Sequence, residues 1–439
     1  MGLLHMESGS QMTGSRRVGI YLDAGTVLRN PDYVPVLRDQ LGLNLVIMGY
    51  TGTLTPKLRA RSPFDGQPAS AAAVSALAAR HLDGGLVDPD EVDDVRAHVG
   101  PNLAEVDDDE LRRAIALLRG AGVDVWMCVG AWTHRNLMYC PSKEAVNDWL
   151  EALYIHVATQ YEIEAVDMTH ARFPAAGITR ALFSCACDDC AREAADRGYD
   201  MESMKGALLQ AGRLLGEVDA DFLRAVWRDG AGFSDLVQGL GMRSGVMDWF
   251  RFRAELLGDN MRRFRDAVHA AAGSDFLFGG DNYPASMAAF VGHDYTAWDR
   301  QCDFASPLLT HFVSFVGRGI VAWAKYLMRR NGGLSEADAL QIIYRLLGYD
   351  RLHMPQRLAD YDFDAPEKLV ELLPFSELIL LELRKARLLL APSLPSYPII
   401  GGGSWPRPVI DAIVAGAEAA GHDGIIWQGT RQLVDYELR

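Results

Sequence analysis

Short runs of β-branched and aromatic residues recur along the chain, each followed by a longer stretch in which apolar positions return every three or four residues. A period of two giving way to a period of about 3.6 predicts strands alternating with helices. Eight runs read as strands: Val18–Asp23, Asn44–Met48, Val123–Cys128, Ile163–Met168, Phe276–Gly279, Cys302–Ser306, Tyr397–Ile400 and Gly424–Trp427. Helical patterns are predicted over Pro31–Leu41, Asp108–Gly120, Ser142–Gln160, Asp248–Ala272 and Arg407–Ala420, with Pro141 and Pro406 where helices begin. Eight such units close naturally into a (β/α)8 TIM barrel of the α/β class. The rival, an open doubly wound sheet, calls for a glycine-rich phosphate turn after the first strand. Asp23-Ala24-Gly25-Thr26 offers one glycine only.

Three long segments interrupt the alternation: residues 50–105 after the second strand, 170–245 after the fourth and 312–392 after the sixth. All follow strands, so all are expected at the C-terminal mouth, where barrel enzymes build their sites. Residues 17–439 then form one barrel with three insertions. Residues 1–16, with three methionines among Gly, Ser and Gln, read as a disordered leader or an overlong start, since they lack the apolar core of a secretory signal.

Length alone would allow two or three average domains, but barrels use about 250 residues or more as one. A hydrophobic fraction of 49% and a charged fraction of 23% supply a large soluble core. The net charge of −15 and the lack of any Lys/Arg-rich run exclude a general nucleic-acid binder, which needs a basic face. No stretch reaches the ~20 uncharged apolar residues of a membrane helix; in Leu378–Leu390 the run is broken by Glu382, Arg384, Lys385 and Arg387.

The cysteines add chemistry. Cys185, Cys187 and Cys190 are spaced C-x-C-x-x-C, and Cys140 lies upstream in Tyr139-Cys140-Pro141. Four thiolates suit a tetrahedral zinc at about 2.3 Å, and a closed set of four leaves no open position, so the expected zinc is structural. A disulfide or simply buried thiols are the alternatives. Cys128 and Cys302 read as small buried residues on strand patterns. Metal-binding free thiols fit the cytoplasm.

This cysteine layout resembles glycoside hydrolase family 42, the zinc-bearing β-galactosidases, whose barrel carries a cysteine before the third helix and C-x-C-x-x-C after the fourth strand. The likeness is close over roughly residues 126–210. Val166–Pro174 is in turn similar to the D-x-x-R-[YF]-P strand ending of uncharacterised glycosidase-like barrels; Arg172-Phe173-Pro174 fits it and the Asp does not. The resemblance implies a barrel acting on a carbohydrate or glycoside, with a small-molecule or oligosaccharide substrate, neither nucleic acid nor membrane as partner, and homo-oligomerisation open. It does not extend to the catalytic residues. The family's Asn-Glu pair after strand four and Glu after strand seven are replaced by Asp167-Met168-Thr169-His170 and Ile400-Gly401-Gly402-Gly403-Ser404-Trp405.

Glycosidic hydrolysis needs two carboxyl groups about 5 to 10 Å apart. Asp281, in Gly279-Gly280-Asp281-Asn282, is the first candidate: it follows the fifth strand, and its glycines allow a sharp turn, although an Asx turn or helix cap would use the same residues. Asp167 alternates with Thr169, so both should point into the barrel, where the acid needs a partner such as Arg172 or His170. Asp23 ends the first strand and either orients substrate hydroxyls or forms a turn. Trp132, His134 and Arg135 make a candidate sugar platform with donors, and Asn282, His311, Trp405 and Trp427 complete the expected rim. The Gly401–Gly403 run suggests backbone close to a ligand, or a flexible loop. Two other functions remain open: a non-catalytic carbohydrate-binding barrel, and a barrel isomerase or lyase using His134, His170 or His311 with a catalytic metal.

Overall fold

The computed structural model describes residues 16–50, 108–134, 137–173, 185–230, 233–239, 244–312, 316–403 and 405–438. The leader and most of the 50–105 segment lie outside the described residues. Eight parallel strands are present: β1 Arg17–Tyr21, β2 Leu45–Gly49, β3 Asp124–Gly130, β4 Ala165–Thr169, β5 Leu277–Asn282, β6 Phe304–Pro307, β7 Ile399–Ile400 and β8 Gly424–Trp427. They pair in the order β6-β5-β4-β3-β2-β1-β8-β7. Parallel bridges from Ala305 to Ser396 and from Leu308 to Ile399 bring β6 back to β7. The architecture is a (β/α)8 TIM barrel.

Each strand is buried on both faces, which is why the strands read as apolar runs rather than as alternations. Leu45, Ile47, Trp126, Ala165, Phe304, Tyr397, Ile399 and Ile426 fill the lumen. Trp126 lies 4.4 Å from Phe304 between ring centres and meets Tyr397 edge-on at 5.7 Å. The intervening residues, such as Val46, Met127, Val166, Phe278 and Ile425, pack outward against the helices. Truncating a lumen aromatic to alanine should cost about 3–5 kcal/mol, because the closed barrel cannot collapse around the hole.

Several strands run one to three residues past their predicted ends. Gly130, Thr169, Asp281-Asn282 and Pro307 all belong to the ladder, since Thr169 pairs with Gly130 and Asp281 with Ser306. Apolar patterning stops where the polar mouth begins, while the backbone hydrogen bonds carry on. The Gly279-Gly280 pair is therefore not a turn. A Cβ at Gly279 would meet Phe304 at 2.6 Å, and one at Gly280 would meet the Met168 carbonyl at 2.2 Å, so close strand packing requires these glycines.

The helix predicted from Pro31 starts at Tyr33, after a separate short helix Ala24–Arg29. The helices predicted from Ser142 and Asp248 run Glu144–Gln160 and Ser244–Ala272. These two pack together, and Arg263 bonds Glu144, Asp148 and Glu151, which share one helix face, at 2.8, 2.6 and 2.6 Å. After β6 the chain is largely helical, with Arg318–Arg330, Glu336–Leu347, Pro366–Leu372 and Phe375–Leu389. Fully buried Glu382 ties this insertion to the loop after β5, accepting from the Ser286 amide at 3.0 Å and the Tyr349 hydroxyl at 2.8 Å.

Candidate functional site

Two carboxyl groups meet at the C-terminal end of the lumen. Asp167 on β4 is fully buried, while Asp281 on β5 lines a cavity of about 290 Å³ that opens at the mouth. The Tyr21 hydroxyl at the end of β1 lies 2.8 Å from Asp167 Oδ2 and 3.3 Å from Asp281 Oδ1, so these two oxygens are at most about 6 Å apart. Tyr21 has one proton. It can donate to one acid only and must accept from the other, so both contacts are hydrogen bonds only when one acid is protonated.

Burial, followed by the neighbouring charge of Asp281, holds the Asp167 carboxyl well above the ordinary range, against the bond from Tyr21. Burial also pushes Asp281 up to about 6, although bonds from Thr169 and Tyr21 pull it down. The deeper acid therefore keeps the proton, and the cavity-facing acid is the one that titrates. The Tyr21 phenol is itself raised by burial and by both acids, so it remains a donor. One oxygen of Asp167, Oδ1, has no hydrogen-bond partner among the described residues.

A relay leads from Asp281 to the rim. The Thr169 hydroxyl donates to Asp281 Oδ2 at 2.7 Å and lies 3.1 Å from His170 Nδ1. With its one proton given to Asp281, it must accept from His170, which places the imidazole proton on Nδ1. His170 has a φ of 58°, the left-handed region, a strain of about 1–3 kcal/mol for a non-glycine residue. The residue is exposed, yet its imidazole is crowded by the rim. That desolvation, then Arg172 and His311, lower its pKa and favour neutral imidazole.

His170, Arg172, Asn282, His311 and Asp281 thus converge on one cavity. The partner of Asp167 differs from the one expected, since Tyr21 and not Arg172 or His170 bonds it. Asp23 does not line the cavity. It caps Ala24–Arg29, accepting from the Thr26 amide at 2.8 Å and hydroxyl at 2.6 Å. Trp132 is no platform, because it is 1% exposed, donates to Asn147 Oδ1 at 2.8 Å and packs on Phe264. His134 belongs to a small hairpin in which Thr133–His134 pairs with Leu137–Met138, but its side chain, like all of Arg135, lies outside the described residues.

Trp405 is buried against Phe375, and Gly401 packs on its ring. Gly402 presses on the Gly429 carbonyl, so this glycine run serves chain packing. Trp427 faces outward into the helix layer, because Ile426 beside it faces the lumen. Strand alternation then brings Gln428 to the cavity instead. Among the cavity residues that pattern reading passed over, which include Tyr283 and His293, three follow strand alternation: Tyr21, Gln428 and Cys128. Alternation from Gly19, Ile426 and Trp126 would have pointed to each. Cys128 is not merely core, although burial and then the two acids push its thiol up and keep it protonated.

A second cluster lies outside the barrel. The sulfurs of Cys140, Cys185, Cys187 and Cys190 all lie within 4.8 Å of one another, with Cys140 3.2 Å and Cys187 3.7 Å from Cys190. A tetrahedron with bonds of about 2.3 Å puts its sulfurs about 3.8 Å apart, so this donor set fits zinc. Lys143 bonded to Asp189 at 2.7 Å joins the two segments beside the sulfurs. The Pro141 carbonyl accepts from Asn147 and Asn260 at 2.8 Å each, and Asn147 also holds Trp132. The cluster is thereby linked to the loop after β3.

No family model matches the chain, and no curated protein matches it in sequence. Similar solved structures include the PgaB (BpsB) glycoside hydrolase domain from Bordetella bronchiseptica, at 10% identity over 95% of this chain and 94% of that one, with a TM-score of 0.46. The catalytic domain of a β-amylase from Paenibacillus polymyxa is similar at 9% identity over 95% and 93%, with a TM-score of 0.47. An endo-1,4-β-D-mannanase from Thermotoga petrophila RKU-1 follows at 10% identity over 94% and 88%, with a TM-score of 0.39. Likeness at this level carries no argument about chemistry; the barrel rests on its own strand pairing. Among the described residues no helix is long and apolar enough to cross a membrane.

Proposed function

We propose that this barrel is a glycoside hydrolase acting on a small glycoside or oligosaccharide. The observation that carries the reading is the carboxyl pair joined through one tyrosine hydroxyl beneath the cavity. Asp281, with a pKa of about 6, is suited to protonate a leaving oxygen and to take a proton back near neutral pH. Asp167, protonated through its burial, lends its proton to Tyr21, which then stabilises the Asp281 carboxylate. Because Asp167 lies beneath Asp281, the two do not flank one bond from opposite sides. Water positioned by Asp281 and neutral His170 is the attacking group. The family 42 likeness of the cysteine layout supports a sugar substrate and a structural zinc held by Cys140, Cys185, Cys187 and Cys190. Such a thiolate centre suits the reducing cytoplasm.

Turnover of a panel of aryl glycosides in both anomers tests the reading. Release of aglycone that disappears in Asp281→Asn supports it. Sugar binding without turnover would favour the non-catalytic barrel. A barrel isomerase or lyase is the second reading, favoured because Asp281 is the sole carboxylate among the described residues lining the cavity and is wired to a histidine. Deuterium entering a sugar C–H bond from solvent, without hydrolysis, would establish that alternative.

A further inference from the structure

We propose that the groove between the helix Ser244–Ala272 and the loop after β5 is a second carbohydrate site, which takes a short neutral oligosaccharide. The proposal rests on the carbohydrate reading above and adds a site outside the cavity. The groove has a volume of about 540 Å³, against about 290 Å³ for the cavity. His293 is the wall between them, since it lines both. It is 4% exposed and both its ring nitrogens are engaged, Nδ1 by the Tyr283 amide at 3.1 Å and Nε2 by the Ala171 carbonyl at 2.7 Å. A ligand in the groove therefore does not reach the carboxyl pair.

Gln301 carries the assignment. It is 9% exposed, and its carboxamide has no hydrogen-bond partner among the described residues. The amide atoms are nonetheless not sealed in, and the groove is where they open. Gly258 makes the room. A Cβ there would meet Gln301 Nε2 at 2.1 Å, so the helix gives up a side chain in its interior, where glycine is disfavoured, to seat the amide. A desolvated amide without partners costs stability, and a ligand that supplies a donor and an acceptor side by side offsets that cost. Vicinal sugar hydroxyls do so whichever way the amide is turned, because each hydroxyl both donates and accepts. The surroundings match. Phe250, Ala254 and Gly258 recur every four residues and form one stripe of the helix about 12 Å long. Ala285, Ala288 and Ala289 line the groove from the loop, and such small apolar surfaces suit the C–H faces of sugar rings. Arg251, Arg262 and Arg300 are balanced by Glu255, Asp259 and Asp294, so the groove calls for neither an anion nor a cation. Two of these pairs are closed already, Arg251–Glu255 at 3.8 Å and Arg262–Asp259 at 2.8 Å.

Titration of the full chain, isotope-labelled at its alanine methyl groups, with maltotriose, cellotriose and mannotriose tests the assignment by NMR. Ala285 and Ala289 report on the groove and Ala171 on the cavity. At least one of these trisaccharides should shift the Ala285 and Ala289 resonances saturably, and Gln301→Ala should weaken that binding about tenfold, the loss of two neutral hydrogen bonds. If Gln301→Ala fails to fold, Ala289→Trp, at an exposed position, should fill the groove and abolish the shift at Ala285. Shifts confined to Ala171 would overturn the proposal and leave the carbohydrate reading standing. Shifts at neither place would also overturn it, and the reading of the cavity would then be decided by aryl-glycoside turnover, which needs no groove. Groove binding that Gln301→Ala leaves within about twofold of the parent, short of the loss of one hydrogen bond, would remove the amide and with it the proposal.

Discussion

The carboxyl pair and the cysteine cluster are held in place by opposite means. Tyr21, Asp167, Thr169 and Asp281 sit on three strands of a closed barrel, so the hydrogen-bond ladder sets their spacing before any side chain interacts. The cysteines come from two separate segments with no ladder between them, joined among the described residues by their own contacts, by the Ser142 hydroxyl donating to Cys190 Sγ at 3.1 Å and by the Lys143–Asp189 bridge. The rigid framework can hold an unfavourable arrangement, two buried acids and a strained histidine. The loose one must supply its own cross-link. Buried acids that cost stability are placed where the backbone cannot yield, and a thiol cluster able to hold a metal is placed where it can.

The sharpest test of that contrast is Asp281→Asn. If the pair is chemical, kcat should fall by about 10²- to 10⁴-fold on any substrate turned over. The melting temperature should not fall with it. The folded pKa of about 6 lies above the unfolded value of about 3.9, so the folded state holds the proton more tightly. Its contribution to stability is complete below pH ~4 and is lost as pH rises through ~6. The variant should therefore gain on the parent in melting temperature between pH 4 and 7. A variant that melts earlier and turns over within about threefold of the parent would make Asp281 structural.

The cysteine cluster should respond in reverse. Protein purified without chelator should carry one zinc per chain, and less than about half an equivalent with reactive thiols would remove the metal from the account. Cys187→Ser or chelation should cost several kcal/mol of stability, since metal affinity is folding free energy. Activity should fall only as the fold does. Tyr21→Phe joins the two effects on a smaller scale. Loss of the bridging hydroxyl should cost about 1–3 kcal/mol. It should also move the acidic limb of the pH–rate profile upward, because the bond that Tyr21 donates to Asp281 lowers that acid. An unmoved limb would separate Tyr21 from the pair. Asp23→Ala, which removes only a helix cap, should cost about 1 kcal/mol and leave kcat and KM unchanged.

The barrel was legible because a parallel strand buried on both faces must be apolar throughout, and β8 was read to the residue. What escaped was the C-terminal end of β2 to β6. Polar residues at Thr169, Asp281 and Asn282 end the apolar signal without ending the strand, so Asp281 reads as a loop residue although it is paired with Ser306. The cysteine spacing was legible because two short loops can present four sulfurs in few ways. The aromatic rim was not, because composition cannot distinguish a tryptophan facing a ligand from one facing a helix. Trp427 and Gln428 differ only by one step of strand register. Tyr21 escaped because its role depends on partners from β4 and β5, far along the chain.

The glycine pair on β5 bears on how this pocket could diversify. With a Phe304 ring and a Met168 carbonyl already occupying the space beyond Gly279 and Gly280, no side chain can be introduced there to reshape the floor. Laboratory evolution of new substrate preference would have to proceed through the upper wall, at Leu308, Ile399, His311 and Gln428. Libraries built on those positions should return folded variants with altered ligand preference, whereas libraries at the two glycines should return mostly insoluble protein. Strand five thus acts as a fixed ruler against which the rest of the mouth is free to vary.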